Sequence, residues 1–341
     1  MERPSVKLNS KNIVDELLEA LNKSLYKFTD LKGVVGIILD GGLSRGYGDH
    51  LSEIDVIIYL SKREFLEYRD GKCPFALGIT VIDGYLYDIK LADFEEEVKR
   101  DFDSVGLWDL SYAKIFYDPE GKIKDFINQK ISKPVNISGA GGLLWNAYWN
   151  YKLAGDIWIH RQDVLQGHYV FNNAITPLIS ALFVANKEHI PHDKWLIHMS
   201  RSLSWKPDDW DILLIGAMNT GACSVQSLID RQQCIDKLWN SVNQKLCEMS
   251  NFNGELDFTQ KSSYELLIML ISKDEYTIDE WISLESLEEL NYEPIHSIFQ
   301  RSGDKIVLNK ARLLSLKPED MYIWMYQIAN EARKSYNNTS L

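Results

Sequence analysis

What this 341-residue chain has little of sets the first limits on what it can be. Its four cysteines, Cys73, Cys223, Cys234 and Cys247, lie far apart with no Cys-x-x-Cys pair, which excludes the spacing of a zinc ribbon or a dense disulfide framework. Positive charge is also scarce. Against 37 Lys and Arg stand 49 Asp and Glu, a formal net charge of −12, so a broad basic face for nucleic-acid phosphates is not indicated. The acidic balance suits a cationic small molecule, although solubility alone accounts for it. No run approaches the roughly 18 apolar residues that span a bilayer, and Met1-Glu2-Arg3-Pro4 carries no apolar leader core. The sequence is therefore read as cytoplasmic, with no membrane partner. There is no internal repeat and no low-complexity segment. What remains is 45% hydrophobic and 25% charged, ordinary for a globular protein with room for two domains.

The most informative stretch runs from Gly41 to Leu60. An apolar run, Val34 to Leu39, reads as a buried strand. It leads into Gly41-Gly42-Leu43-Ser44-Arg45-Gly46-Tyr47-Gly48, a turn with four glycines and one arginine. A second strand then begins at Glu53-Ile54-Asp55-Val56. Period-two geometry sets Glu53 and Asp55 side by side on one face. Two adjacent carboxylates repel unless a cation lies between them. Hard oxygen ligands of this kind suit Mg²⁺, which takes the rest of its shell from water and substrate phosphates. The glycines let backbone N–H groups approach a triphosphate, and Arg45 adds a planar cationic fork. The residue types point to a metal–nucleotide site.

The same residues resemble a known family. Gly-Gly or Gly-Ser, a spacer, then acidic–apolar–acidic–apolar is the signature of the polymerase-beta-like nucleotidyltransferases. Here ten residues separate Gly42 from Glu53. Gly-Gly-x-Ser-Arg-Gly before Ser52-Glu53-Ile54-Asp55 looks most like the bacterial branch that modifies aminoglycosides and lincosamides. The resemblance implies Mg²⁺-dependent transfer of a nucleoside monophosphate from a nucleoside triphosphate, ATP foremost, to a hydroxyl, with release of pyrophosphate. It implies metal ligation by Glu53 and Asp55, and phosphate binding by Gly41, Gly42, Ser44 and Arg45. The first carboxylate is Asp in most of the family. Glu53, one methylene longer, would set the metal about one bond length outward.

A third carboxylate is expected from the hairpin that follows. Ile79 to Ile82 and Tyr85 to Leu91 flank Asp83-Gly84, a type I′ turn signal. In the second arm Tyr85, Tyr87, Ile89 and Leu91 share one face, and Leu86, Asp88 and Lys90 the other. If that arm pairs beside the Glu53/Asp55 strand, Asp88 joins them. The resemblance makes such a residue a metal ligand or the base for the acceptor hydroxyl. Otherwise it is a solvated Asp on an edge strand.

Elsewhere Ser10 is a plausible N-cap for a helix whose stripe runs Ile13, Val14, Leu17, Leu18, Leu21 and Leu25. Ala113 to Asp118 reads as a last strand, and Pro134 to Gly142 as a linker. Beyond it helical periodicity takes over. Trp145, Tyr148 and Trp149 form an aromatic stripe, read as core packing. Asn186, Pro191, Lys194 and Trp195 resemble an element of helical domains in such enzymes. Because a cation from that domain closes over the triphosphate in the family, the resemblance makes Lys152, Arg161 and Lys194 candidates; each is otherwise a surface or ion-paired residue. His189, His192 and His198 lack an acidic partner at ligand spacing and are read as ordinary. Ser224 to Ser250 is one amphipathic helix, and Asp304 to Leu308 reads as an isolated strand. Residues 261–310 allow a helix–helix–wing reading without a basic recognition helix, and 337–341 read as a frayed polar tail.

The expectation is an α/β (α+β) nucleotidyltransferase domain with a mixed sheet over 1–133, then a mostly α-helical domain over 143–341, with a subdivision near 251–260. The expected partners are a nucleoside triphosphate and a small, antibiotic-like hydroxyl acceptor. The alternatives are a tRNA or protein acceptor, as in toxin-like members of the superfamily, and a non-catalytic nucleotide-binding module. Glu53 in place of Asp is the latter's support. Retention of acid at both positions argues against it.

Overall fold

A computed structural model describes residues 9–252 and 255–339; Met1-Glu2-Arg3-Pro4 and the last two residues of the polar tail lie outside them. The helix Val14–Thr29 opens the fold. Its cap is not Ser10, as the sequence suggests. The Asn12 side chain accepts from Val14 N at 3.0 Å, while Ser10 bonds Asp49. Leu17, Leu21 and Phe28 form its buried stripe against one face of a five-stranded sheet.

That sheet contains β1 (Val34–Leu39), β2 (Ile54–Leu60), β3 (Gly78–Ile82), β4 (Tyr85–Asp93) and β5 (Lys114–Tyr117), in the order β3-β4-β2-β1-β5. β2 and β4 run parallel; the other pairs are antiparallel, so the sheet is mixed as expected. Asp83 and Gly84 both have positive φ, +52° and +87°, the backbone that a type I′ hairpin needs. Strand alternation divides two cores. Ile54, Val56, Ile58, Tyr87 and Ile89 face the first helix. Ile38, Ile57 and Tyr59 face the other way, with Leu110, Ile123 and Phe126.

The chain divides into two compact units, one of residues 1–136 with 182–206, the other of 137–181 with 207–341. Residues 182–206, which the sequence reading groups with the helical part, thus fold with the sheet. They include the helix Asp193–Ser200. Asn186 bonds backbone groups of Leu182 and Trp205 there, closing a helix end.

The second unit is mostly helical. Tyr148, Tyr151 and Trp239 pack together, and Trp239 Nε1 donates to Leu144 O at 2.9 Å; of the stripe read as core packing, Trp145 and Tyr148 are half-buried and Trp149 is exposed. Helix Val225–Met249 is capped by Ser224 through a reciprocal pair of bonds with Ser227. The isolated strand expected at 304–308 is corrected: β8 (Lys305–Leu308) lies between β6 (Glu275–Thr277) and β7 (Phe299–Ser302). Strands of three and four residues are too short to signal themselves by alternation. Helices and strands over 261–308 follow a helix–helix–wing order, and residues 278–298 carry six acids without Lys or Arg. Among the described residues no helix is long and apolar enough to cross a membrane.

Candidate active site

β1 ends at Leu39, and the chain must then turn sharply to re-enter the sheet as β2. Gly41 makes this possible. Its φ is +67°, and a Cβ there would lie 1.7 Å from Asp55 Oδ2. The glycine therefore sets the turn's backbone directly against the carboxylate. Asp40 N donates to Asp55 O at 3.0 Å, which ties the turn to the head of β2. Residues Gly41–Ser44 form a single helical turn, closed by bonds from Arg45 N and Tyr47 N to Gly42 O. Ser44 is buried, and its hydroxyl donates to Gly41 O at 2.9 Å.

The register of β2 and β4 pairs Asp55 with Asp88. This is the pairing through which Asp88 can reach the two earlier carboxylates. Glu53, Asp55 and Asp88 offer oxygens that all lie within 4.8 Å of one another, the one such group of metal-ligating residues among those described. The longer arm of Glu53 does not remove it from the cluster. Burial, then the Glu53 charge, pushes the Asp55 carboxyl up to about 6. Lys90 pairs with Asp88 at 2.9 Å. Burial opposes the Lys90 charge, but the bond and charge of Asp88 and the charges of Asp55 and Asp40 outweigh it, and its pKa rises.

These oxygens fit a divalent cation. A half-buried Asp55 beside two further carboxylates is held in its charged form only at a cost, and a bound cation removes that cost. The oxygen-only donor set, close together and partly exposed, is the chemistry of Mg²⁺ or a similarly hard ion.

Arg45 is not open to solvent. It is 6% exposed, ion-paired with Asp109, and its Nη2 lies 3.7 Å from Asp40 Oδ1. Its guanidinium stacks 4.1 Å from the Trp108 ring centre, with Tyr112 and Trp195 at 5.7 and 5.8 Å. The fork inferred from sequence as a phosphate ligand is thus occupied by carboxylates, and a phosphate would have to displace one of them. Burial first, then the Asp40 charge, raises the Asp109 pKa against the pull of Arg45. Trp195 stacks on Tyr47 at 5.1 Å and stands over the turn, 3.6 Å from where a Gly42 Cβ would sit.

Lys152 and Arg161 belong to the second unit. Lys152 pairs with Asp156 at 3.0 Å, and Arg161 lies over the Trp158 ring at 5.0 Å. Lys194 is exposed in the first unit, and its charge acts on Asp109. His192 caps the helix Asp193–Ser200, accepting from Lys194 N. Sequence reasoning misses Asp40, Trp108 and Asp109. Asp40 had a signal, its place between the last strand residue and Gly41. Trp108 and Asp109 had none, because apolar residues surround the whole helix Ser104–Tyr112.

No family model matches this chain, and no curated protein matches it. Among solved structures, a nucleotidyltransferase-like protein from Exiguobacterium sibiricum 255-15 is similar over 85% of this chain and 98% of that one, with a TM-score of 0.40 and 13% identity. At that level the likeness carries no argument, and function has to be read from the site's own geometry.

Proposed function

We propose that this protein is a divalent-metal-dependent nucleotidyltransferase that moves a nucleoside monophosphate from a nucleoside triphosphate to a hydroxyl of a small molecule. One observation carries the reading: three carboxylates converge within 4.8 Å, directly against a glycine turn that admits no side chain. A purely structural Asp would be expected to pair with a cation of the fold. Asp55 instead sits against other carboxylates with its pKa raised to about 6.

Glu53, Asp55 and Asp88 would hold Mg²⁺, which supplies charge neutralisation for a triphosphate. Backbone N–H groups of Gly41 and Gly42 would meet the phosphates. Asp88 receives the proton of the acceptor hydroxyl, whose oxygen bonds to the α-phosphorus. The bond from that phosphorus to the bridging oxygen of the β-phosphate breaks, and pyrophosphate leaves with the electron pair. Arg45, held by Asp109 and Asp40, acts as a positioning cation that fixes the turn from behind rather than as a direct phosphate ligand. ATP is the first donor to try, and an antibiotic-like alcohol the first type of acceptor.

Pyrophosphate release tests the reading. With Mg²⁺, nucleoside triphosphate and a panel of hydroxylated acceptors, the wild type should release pyrophosphate and Asp55→Ala should not, with both folded by circular dichroism. Equal release from the folded Asp55→Ala variant would sink the assignment.

A further inference from the structure

Among the described residues the two sheets have four edges, and they are not alike. The five-stranded sheet ends at β3 and β5, the three-stranded one at β6 and β7. Three of these edge strands carry a charge: Lys114 in β5, Glu275 in β6 and Arg301 in β7. Charge on an edge discourages a further strand from pairing there. β5 also meets β1 through a register shift, which discourages it again. β3 has no such guard. It reads Gly78-Ile79-Thr80-Val81-Ile82, with neither charge nor proline.

The hairpin fixes which way the backbone groups of β3 point. Its two-residue turn, Asp83-Gly84, is closed by the pair Ile82 and Tyr85. Such a closing pair exchanges both of its hydrogen bonds, and in an antiparallel ladder every second pair does the same. Gly78 and Thr80 therefore bond across to Ile89 and Tyr87. Ile79 and Val81 turn their N–H and C=O groups to the open side, where no described segment pairs with them. Both residues also stand out of the core, 71% and 65% exposed.

A strand laid antiparallel on this edge needs outward groups at the same two-residue spacing, and β3 itself has them. With Thr80 opposite Thr80 of a second copy, Ile79 falls opposite Val81, and Val81 opposite Ile79. Each of these two pairs exchanges both bonds. The two-fold axis passes between the threonines, perpendicular to the sheet, so paired residues stay on one face. The Ile–Val pairs cover each other on one face, and the threonine hydroxyls meet on the other. Charge agrees with this. The chain carries −12, so two copies repel on average. Beside this edge, however, Asp83 is neutralised by Lys27 at 2.8 Å.

We propose that β3 is a homodimer interface, at which two five-stranded sheets join edge to edge, antiparallel about Thr80, into one continuous sheet. Each copy offers this edge once, so the contact closes on itself and stops at a dimer. Ile79 pairs with Asp88 in register, and the carboxylates of both copies then share one face of the joined sheet. Three strand spacings separate the two Asp88 residues, about 15 Å. The interface stands apart from the transferase reading and holds whether or not the site binds nucleotide.

Sedimentation velocity of the full chain measures it. At about 50 µM the wild type should be dimeric, as a small reversible interface allows. Val81→Pro removes an outward N–H that β3 does not use in its own sheet, and should weaken the dimer about tenfold or more. Val81→Lys should weaken it as well, by placing a charge on the edge. A melting temperature close to that of the wild type shows that both fold; if Val81→Pro melts early, Val81→Lys decides. The register has its own test. In Thr80→Cys the Cα atoms of the two copies lie about 4.5 Å apart, within disulfide reach, so mild oxidation should link them. In Ile79→Cys the identical positions lie about 8–9 Å apart and should stay unlinked. So should the wild type, with its four native cysteines. A monomeric wild type at that concentration, an undiminished dimer in both folded Val81 variants, or a ladder of higher species would overturn the proposal. A dimer that fails to link through Thr80→Cys, or links as readily through Ile79→Cys, would overturn the register on which it rests.

Discussion

Among the described residues each unit buries one arginine, and the two are solved in opposite ways. Arg231, 1% exposed in the second unit, donates to Ala217 O, His168 Nδ1 and Asn172 Oδ1, each at 2.8 Å. All three acceptors are uncharged and all point correctly. Arg45, in the first unit, has carboxylates and aromatic faces around it, but its Nε meets no acceptor. Trp108 Nε1 and Trp195 Nε1 beside it likewise meet no acceptor, and Asp40 Oδ1 meets no donor. The tryptophans of the second unit differ again, since Trp239 and Trp281 donate to Leu144 O and Ser286 O. A polar core that only holds a fold satisfies its donors. The four unpartnered polar atoms around Arg45 set this region apart from the second unit's arginine.

The widest break in that comparison should come from Asp55→Asn. Removing the charge at the centre of the carboxylate cluster should lower transfer by about 10³-fold or more, roughly 4 kcal/mol or above in the barrier. The metal-free fold should not weaken, which a melting curve in EDTA checks. Arg231→Met should do the reverse. It strands the buried Ala217 O and His168 Nδ1 and should cost about 3–5 kcal/mol of stability in urea, leaving the Mg²⁺ and nucleotide response of the remaining folded protein intact. Arg45→Met falls between them: a loss of about 1–2 kcal/mol of stability, because Asp109 and Asp40 keep access to water. Its transfer should drop about a hundredfold. Arg45→Lys should not rescue it, since a lysine cannot reproduce the planar stack on Trp108. If the two arginines proved equally costly to stability and equally silent in transfer, the contrast would collapse.

The remaining expected effect is a pH dependence. The Asp55 carboxyl titrates near 6 in the fold and near 3.9 in an unfolded chain. The folded state thus binds the proton more tightly. Protonated Asp55 favours the fold at low pH, and the advantage is lost as pH rises from about 4 to about 6, by about 1–3 kcal/mol in the metal-free protein. The difference in urea stability between Asp55→Asn and wild type should grow over that window and vanish below it. A flat difference would mean that Asp55 is not held as described.

Much of the site was legible because its geometry is local. Alternation in Tyr85 to Leu91 put Asp88 and Lys90 on one face, and the pairing of β4 with β2 did the rest. The Gly41 turn and the acidic i, i+2 pair declare themselves within twenty residues. What stayed hidden depends on contacts distant in sequence. Asp109 meets Arg45 across 64 residues, and nothing near Trp108 marks it as a stacking surface. Trp195 reaches Tyr47 from a segment that periodicity assigns to the helical part. Ser10 failed as a cap for a smaller reason, since a suitable Asn lay two residues closer to the helix.

The most direct measurement is a melting curve with ATP, GTP, CTP and UTP, each with and without Mg²⁺, on the wild type and Asp55→Asn. A ligand that binds only the folded state must raise the melting temperature. The expected result is a Mg²⁺-dependent rise with at least one nucleotide, absent in Asp55→Asn. No rise with any of the four, or the same rise in Asp55→Asn, would contradict the claim that the carboxylate cluster is a metal–nucleotide site.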